Sequence, residues 1–147
     1  MHRFVKVALL TAISTAVVGA ANRPNIATFT IPLSGQEEVN VAHPLGGTGD
    51  LQASGSVSLS IDAANKQVCY DFRLSSLSEP MMAHIHEGSR LRNGPPVIIL
   101  FAGTGMSLAD CAPSTREQLS EIVANPSRFY VSLDTTAYPD GALRGQL

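Results

Sequence analysis

Two histidines and one aspartate are the residues whose types and spacing could support metal chemistry. His84 and His86 lie two positions apart, so on an extended strand both imidazole rings leave the same face. Imidazole nitrogens arranged in this way can converge on one zinc or copper ion. Asp134 could add a carboxylate oxygen, because a period of two over residues 129–135 places it on the outer face, like the histidines. Two histidines and one carboxylate with open positions form a set that transition metals use.

A polar cluster without a metal is the alternative that we expect instead. Arg144 and Gln146 alternate onto the outer face of the last predicted strand, and a turn containing Pro139 and Gly141 should bring Arg144 close to Asp134. A charge-assisted Asp–Arg pair, with the histidines hydrogen-bonded beside it, would satisfy these groups. A catalytic role is expected least, because no serine has the GxSxG surroundings of a nucleophile elbow.

Most of the chain follows the period of two that is typical of half-buried strands. Apolar residues alternate with polar ones over 56–61 and 67–74, and the turn-rich link 62–65 predicts a hairpin between them. Four further segments have the composition of strands: 27–33, 96–103, 129–135 and 142–147. The continuous apolar run 96–103 is suited to a buried position.

One segment departs from the β pattern. Ser114–Glu117 matches a capping box, and Leu119, Ile122 and Val123 follow at helical spacing. The sequence Asn125-Pro126 then stops the pattern. The chain is therefore predicted to be all-β with one short helix over residues 114–124.

The N-terminus has the organisation of a secretory signal peptide. Arg3 and Lys6 precede an uncharged, mostly apolar run that ends in the small residues Gly19–Ala21. The run is short for a membrane span, which needs about 20 apolar residues, and an uncleaved membrane anchor is the alternative. We expect cleavage after Ala20 or Ala21. Residues 22–147 would then form one secreted or periplasmic domain with no membrane span.

The charge balance excludes one class of partner. The chain has 10 basic and 12 acidic residues, and loss of Arg3 and Lys6 would leave it more acidic. Without a cluster of Lys and Arg it lacks the electrostatic footprint of a nucleic-acid binder. The expected partner is an unknown protein or a small ligand.

Two cysteines, Cys69 and Cys111, follow the predicted signal peptide. An even number of cysteines without a CxxC motif favours one disulfide in an exported chain, with two buried thiols as the alternative. A loop of this length would stabilise the fold by about 4 kcal/mol in the chain-entropy model. Alternation places Cys69 on an outer face, where we expect it to meet a loop that carries Cys111.

Three blocks, taken together and in order, resemble the CHRD (chordin) domain family. They are LSGQEEV over 33–39, AHIHEG over 83–88, and FYV at 129–131 followed by PDGALRGQL over 139–147. The resemblance spans about residues 28–147. It implies an extracellular, immunoglobulin-like antiparallel β-sandwich or barrel of the superoxide-dismutase type. A lone domain behind a signal peptide resembles the exported bacterial members, so the growth-factor binding of chordin is not carried over.

One departure from the family bears on the histidines. The penultimate strand of the family commonly carries a His-Thr pair, whereas this chain has Asp134-Thr135. The superoxide-dismutase type of fold suggests copper, but only His43 remains for a second metal. The resemblance thus implies an exported binding or structural module with an unknown ligand. The alternative is an extracellular or periplasmic metal-binding protein that uses His84, His86 and Asp134 and is redox-active if it holds copper.

Overall fold

Eight strands and one helix make up most of the computed structural model, which describes residues 26–40 and 42–147. The strands are β1 (Ile26–Ser34), β2 (Ser54–Asp62), β3 (Gln67–Ser75), β4 (Pro80–Glu87), β5 (Pro96–Ala102), β6 (Ala109–Pro113), β7 (Phe129–Thr135) and β8 (Leu143–Gln146). The helix α1 spans Arg116–Ala124. The predicted signal peptide, residues 1–21, lies outside the described residues.

All eight strands belong to one antiparallel sheet in the order β5-β4-β7-β8-β1-β2-β3-β6. The two edge strands, β5 and β6, approach each other, so the sheet is nearly closed into a barrel. This architecture confirms the predicted all-β sandwich or barrel with one short helix. Within this sheet β4 and β7 are neighbours, which brings the histidines and Asp134 onto adjacent strands.

The predicted hairpin is formed by β2 and β3, and its alternation supplies much of the core. In register, Val57 lies opposite Phe72, Leu59 opposite Tyr70 and Ile61 opposite Val68. All six are at most 5% exposed. Burying such a side chain stabilises a fold by roughly 1.5–3 kcal/mol. The core therefore determines which residues of β2 and β3 face inward.

The run 96–103 does not take the fully buried position that its composition suggests. β5 lies at the edge of the sheet order and pairs only with β4. Ile98 is 4% exposed and faces the core, whereas Ile99 is 59% exposed. The expectation was wrong because an apolar run reports hydrophobicity and not the number of neighbouring strands.

The helix begins two residues later than predicted, and its capping box is shifted by one residue. Thr115 is the N-cap and accepts a hydrogen bond from the backbone N–H of Gln118 at 3.1 Å. Ser114 and Glu117 do not form the box. Leu119 and Ile122 are fully buried, as their spacing predicts. The Gln118 side chain also donates to the Val97 carbonyl of β5 at 3.1 Å, which ties the helix to the edge of the sheet.

Cys69 and Cys111 form the predicted disulfide. Cys111 lies on strand β6, directly opposite Cys69 of β3, with 3.9 Å between the Cα atoms. The expectation of a loop around Cys111 was wrong, because residues 109–113 add a short edge strand to β3. The disulfide therefore fixes one edge of the nearly closed barrel.

Candidate functional site

The two histidines leave the outer face of β4, and their neighbours Ala83 and Ile85 are fully buried in the core. In register, His84 lies opposite Ser132 of β7. Asp134 is one step further along the same face, with Oδ2 at 3.7 Å from His84 Nδ1. The structure therefore brings together His84, His86 and Asp134.

Loop segments lie over this outer face and border a half-open cavity. They are residues 38–40, 93–94 and 137–141, with Thr48, and the cavity between them and the strands has a volume of about 630 Å³. We name it the histidine cavity, after His84 and His86 in its wall. The covering loops leave His84 only 9% exposed, so an outer-facing position is here a buried one.

Glu38 is the main residue of the cavity that sequence reasoning missed. It follows the 3-10 turn Gly35–Glu37 and is 3% exposed. Its Oε1 accepts a hydrogen bond from the Ser132 hydroxyl at 2.9 Å. Burial raises the pKa of Glu38 to about 7, against the opposing effects of this hydrogen bond and of the Arg144 charge. Glu38 can therefore exchange a proton near neutral pH.

Asp134 lies on the other side of the same hydroxyl. Its Oδ1 is 3.4 Å from Ser132 Oγ. Burial raises the pKa of Asp134 to about 6, and the charge of Asp140 adds to the effect, although the Ser132 hydrogen bond opposes it. A hydroxyl has one proton to donate, and the shorter distance assigns it to Glu38. Two buried carboxyl groups thus share one good donor.

The two imidazoles differ in their partners. The Nδ1 atom of His86 lies 2.9 Å from the Gly94 carbonyl, and since a carbonyl only accepts, this nitrogen carries the proton. The Nδ1 atom of His84 is buried and has no hydrogen-bond partner in the part of the chain that the structure describes. Burial lowers the pKa of both rings; the charge of the other imidazole adds to the effect at His84. Both histidines are therefore neutral at pH 7.

Arg144 does not pair with Asp134, contrary to the expectation from the sequence. Its guanidinium donates to Asn93 Oδ1 at 2.9 Å and to the carbonyls of Arg92 and Ser89 at 2.9 and 3.1 Å. The physical reason is register: Arg144 lies opposite Ser132. Asp134 extends beyond the paired part of β7 and β8, towards the turn that follows.

A stack of three side chains stands beside the cavity. The His86 ring lies on the Tyr130 ring, with 4.8 Å between centroids and 13° between planes. The Arg144 guanidinium carbon lies 3.5 Å from the centroid of the Tyr130 ring. Because β4 and β8 flank β7, the imidazole and the guanidinium cover opposite faces of the phenol ring. Arg144 is 1% exposed and acts as a positioning residue for the wall of the cavity.

The other predicted structural residues lie in the wall of the cavity or next to it. Gln146 Nε2 lies 2.6, 3.0 and 3.1 Å from the carbonyl oxygens of Phe129, Ser127 and Gly88, which share its two protons. Pro139 lies in the wall of the cavity, and Gly141 ends a turn in which its N–H donates to the Tyr138 carbonyl at 3.3 Å. These residues shape the site without offering it a reactive group.

The predicted metal ligands meet in space, but their geometry does not suit a metal. Over residues 26–40 and 42–147, no group of three or more His, Cys, Asp or Glu side chains is placed to hold an ion. The rings of His84 and His86 are 5.4 Å apart and at 88° to each other, so the two imidazoles do not face one common point. His43, the remaining histidine considered for copper, is exposed in a loop.

The cavity also contains a serine, a histidine and an aspartate, yet they do not form a catalytic triad. In a triad the serine hydroxyl is hydrogen-bonded to the imidazole that takes its proton. Here the Ser132 hydroxyl donates to Glu38. The arrangement is instead a set of buried acceptors that can exchange protons and receive hydrogen bonds.

Fold and site together define a disulfide-bonded module made of one nearly closed antiparallel sheet, with a cavity on its outer face into whose wall carboxyl and imidazole groups are set. The family model of the CHRD domain matches residues 29–147, so this chain belongs to the CHRD domain family. Glu38 comes from the first of the three family-like blocks, His84 and His86 from the second, and Gly141 from the third. Neither a curated protein nor a solved structure matches the chain. Within the described part of the chain, no helix is long and apolar enough to span a bilayer.

Proposed function

We propose that the chain is an exported single-domain binding module of the CHRD type and that the histidine cavity is its ligand site. The observation that carries the proposal is the cavity itself. Its volume of about 630 Å³ falls within the range of roughly 300–1,000 Å³ that ligand pockets occupy. Pockets of this kind combine a concave wall with a few convergent polar groups, and Glu38, Ser132 and Asp134 converge here.

Export is supported by three independent features. The sequence of residues 1–21 has the pattern of a signal peptide. The Cys69–Cys111 disulfide is a bond that persists in oxidising compartments. CHRD domains are typically extracellular. Intact-mass measurement on protein exported by the native host should give a chain that begins at Ala21 or Asn22; a cell-associated chain that still carries Met1 would contradict export.

Binding rather than catalysis is favoured by the state of the polar groups. Buried polar atoms are normally hydrogen-bonded, but among residues 26–40 and 42–147 His84 Nδ1 has no partner and the Asp134 carboxylate accepts only the long contact from the Ser132 hydroxyl. These groups gain a partner when a ligand supplies one. The raised pKa values of Glu38 and Asp134 do not indicate catalysis, because burial is their main cause.

The three histidines outside the predicted signal peptide allow the ligand site to be tested by NMR. His84 and His86 line the cavity, whereas His43 is exposed in a loop and is not part of its wall. Three probes of equal length and different charge are 1,4-diaminobutane, 1,4-butanediol and succinate. We expect at least one to shift the ring signals of His84 and His86 saturably and to leave His43 unchanged. No response to any of the three would contradict the cavity as the ligand site.

A zinc titration separates this function from the metal-binding alternative. Among the described residues no group of three or more His, Cys, Asp or Glu side chains is placed to hold an ion, and the two imidazoles are 5.4 Å apart and at 88° to each other. We therefore expect Zn²⁺ to bind more weakly than micromolar and without a fixed stoichiometry. Stoichiometric zinc or copper at micromolar affinity, lost in His84→Ala, would replace the proposed function by the metal-binding one.

A further inference from the structure

We infer that the histidine cavity takes a ligand with a protonated primary amine, whose ammonium group lies between the carboxylates of Glu38 and Asp134. The inference rests on the proposed function, since it names the ligand class for that same site.

Charge is the first argument. The wall of the cavity contains three carboxyl groups, from Glu38, Asp134 and Asp140, and no Lys or Arg among the described residues that line it. Arg144 is close enough to act on Glu38 electrostatically, but its guanidinium is used by Asn93 and two carbonyls and is covered by Tyr130. The histidines of the wall are neutral. A cavity with walls of one sign concentrates ligands of the opposite charge.

The missing hydrogen bonds are the second argument. Glu38 receives one good hydrogen bond, and Asp134 has only the contact of 3.4 Å to the same hydroxyl. An ionised carboxylate can accept about four hydrogen bonds, and an ammonium group donates three. An ammonium group between the two carboxylates could donate to both of them at once. An anionic ligand would find no charged donor here, and a metal ion would find no suitable ligand set.

His84 is a third and independent indication. The residue is 9% exposed and lines the cavity, yet its Nδ1 has no partner and lies 3.7 Å from Asp134 Oδ2. Most buried side-chain nitrogen atoms in proteins have a hydrogen-bond partner. His84 thus places a further unpaired polar atom beside the carboxylate of Asp134.

Binding should depend on pH with a defined sign. Burial raises the pKa of Glu38 to about 7 and that of Asp134 to about 6, and an ammonium group favours their ionised forms. Affinity should therefore rise from pH 5 to pH 8, and binding near pH 6.5 should release protons to the buffer. The charged or titratable groups that face these carboxyls are His84 and His86 of β4, Tyr130 of β7, Arg144 of β8, and Tyr138 and Asp140 of the turn. Burial lowers the pKa of both histidines. Loss of a proton from either imidazole as the pH rises removes positive charge from the wall, so it changes amine affinity in the same direction as ionisation of the carboxyls.

The test compares 1,4-diaminobutane with its neutral and anionic analogues, 1,4-butanediol and succinate, by calorimetry on the disulfide-bonded protein at pH 7.5. We expect the diamine to bind at least about tenfold more tightly than the diol, and Glu38→Gln and Asp134→Asn each to weaken it about ten- to hundredfold, the range of a charge-assisted hydrogen bond. Glu117→Gln, on the exposed face of α1, is the matched control and should leave binding unchanged. A blocked tripeptide with a central lysine shows whether a lysine side chain on a partner can also supply the ammonium group.

The selectivity of the wild-type protein and its pH dependence keep the test decisive if a variant fails to fold. Equal or tighter binding of the diol or succinate, with NMR shifts at His84 and His86, would contradict the amine as the ligand class. The histidine cavity would then remain the ligand site. If none of the three probes shifts the NMR signals of His84 and His86, the ligand site itself would be wrong as well. Amine binding that weakens as the pH rises from 5 to 8 would also overturn the inference.

Discussion

Glu38 and Gly141 are in such close contact that a Cβ atom at position 141 would lie 2.5 Å from the carboxyl carbon of Glu38. Gly141 also has a φ of +126°, which side-chain-bearing residues rarely adopt. The two residues come from opposite ends of the sequence. Their contact lets the turn 138–141 close over the buried carboxyl, and it makes Gly141 a requirement of the site.

Replacing Gly141 with alanine should therefore destabilise the protein through both strain and overlap. We expect Gly141→Ala to lower the free energy of unfolding by about 2–4 kcal/mol. Gly105→Ala is the matched control, because Gly105 has a φ of +69° but no atom within 4 Å of the added Cβ; it should cost about 1 kcal/mol. Urea unfolding followed by circular dichroism measures both. Equal decreases in the free energy of unfolding of the two variants would show that the Glu38 side chain can move away from an added Cβ atom.

The raised pKa of Glu38 should make the stability of the protein depend on pH. A carboxyl whose pKa is about 7 in the folded state and about 4.5 when unfolded holds its proton more tightly in the folded state, so its contribution is lost as the pH rises through this range. The unfolding free energy of the wild type relative to Glu38→Gln should therefore fall by about 2–3 kcal/mol between pH 5 and pH 8.

The adjacent carboxyl provides the control for this experiment. Glu37 pairs with Arg90 in a solvent-exposed position, and the hydrogen bond from Arg90 lowers its pKa. The difference between wild type and Glu37→Gln should hence stay constant between pH 5 and pH 8. A constant difference for Glu38→Gln as well would mean that Glu38 is ionised throughout this range.

Arg144 should contribute to stability but not to metal affinity. Arg144→Ala removes a nearly fully buried guanidinium from Asn93 and two carbonyls, which should cost about 3 kcal/mol. Arg144→Lys should recover less than half of this loss, because an ammonium group lacks the planar fork that stacks on Tyr130. Arg73→Ala, at an exposed position on β3, should change stability by less than about 0.5 kcal/mol.

The same Arg144 variants decide between two arrangements of the site. If Arg144 held Asp134, its removal would free a carboxylate and strengthen zinc binding. Because the guanidinium is bound elsewhere, we expect zinc affinity to stay unchanged in Arg144→Ala, measured by calorimetry on the folded variant. A clear gain in affinity would restore the Asp134–Arg144 pair that the register of β7 and β8 argues against.

Reduction of the disulfide should weaken the edge of the barrel. Cys69 and Cys111 are 42 positions apart, and a closed loop of this length stabilises a fold by about 4 kcal/mol in the chain-entropy model. We expect no alkylatable thiol in the native exported protein and a fall of several degrees in the thermal midpoint after reduction. Two freely alkylated thiols without reductant would contradict this.

The sequence predicted the parts of the site that lie on regular strands. A period of two was enough to place His84, His86 and Asp134 on one face, because the core fixes Ala83 and Ile85 on the other. The disulfide and the all-β architecture followed from the same pattern and from the cysteine count. On each strand the burial of alternate residues fixes which face points towards the core and which points away from it.

The remaining features depend on contacts between distant segments, which periodicity does not encode. Glu37 and Glu38 are adjacent and chemically alike, and only the fold decides that the first meets Arg90 in solvent and the second is buried. The partner of Arg144 depends on the register set by the turn 136–142 and on the loop that carries Asn93. A Ser-Gly-Gln-Glu-Glu segment leading into a turn was the signal that could have pointed to Glu38.

The stack beside the cavity has a spectroscopic consequence. The chain has three tyrosines and no tryptophan, so its fluorescence comes from phenol rings when it is excited at wavelengths that phenylalanine does not absorb. Tyr130 and Tyr138 line the histidine cavity, and Tyr130 is held between an imidazole and a guanidinium. Tyr70 packs in the core against Phe72 and Phe101 and supplies a constant background. The protein thus carries its own optical reporter, in which a change of fluorescence intensity registers events at the cavity wall without any attached dye.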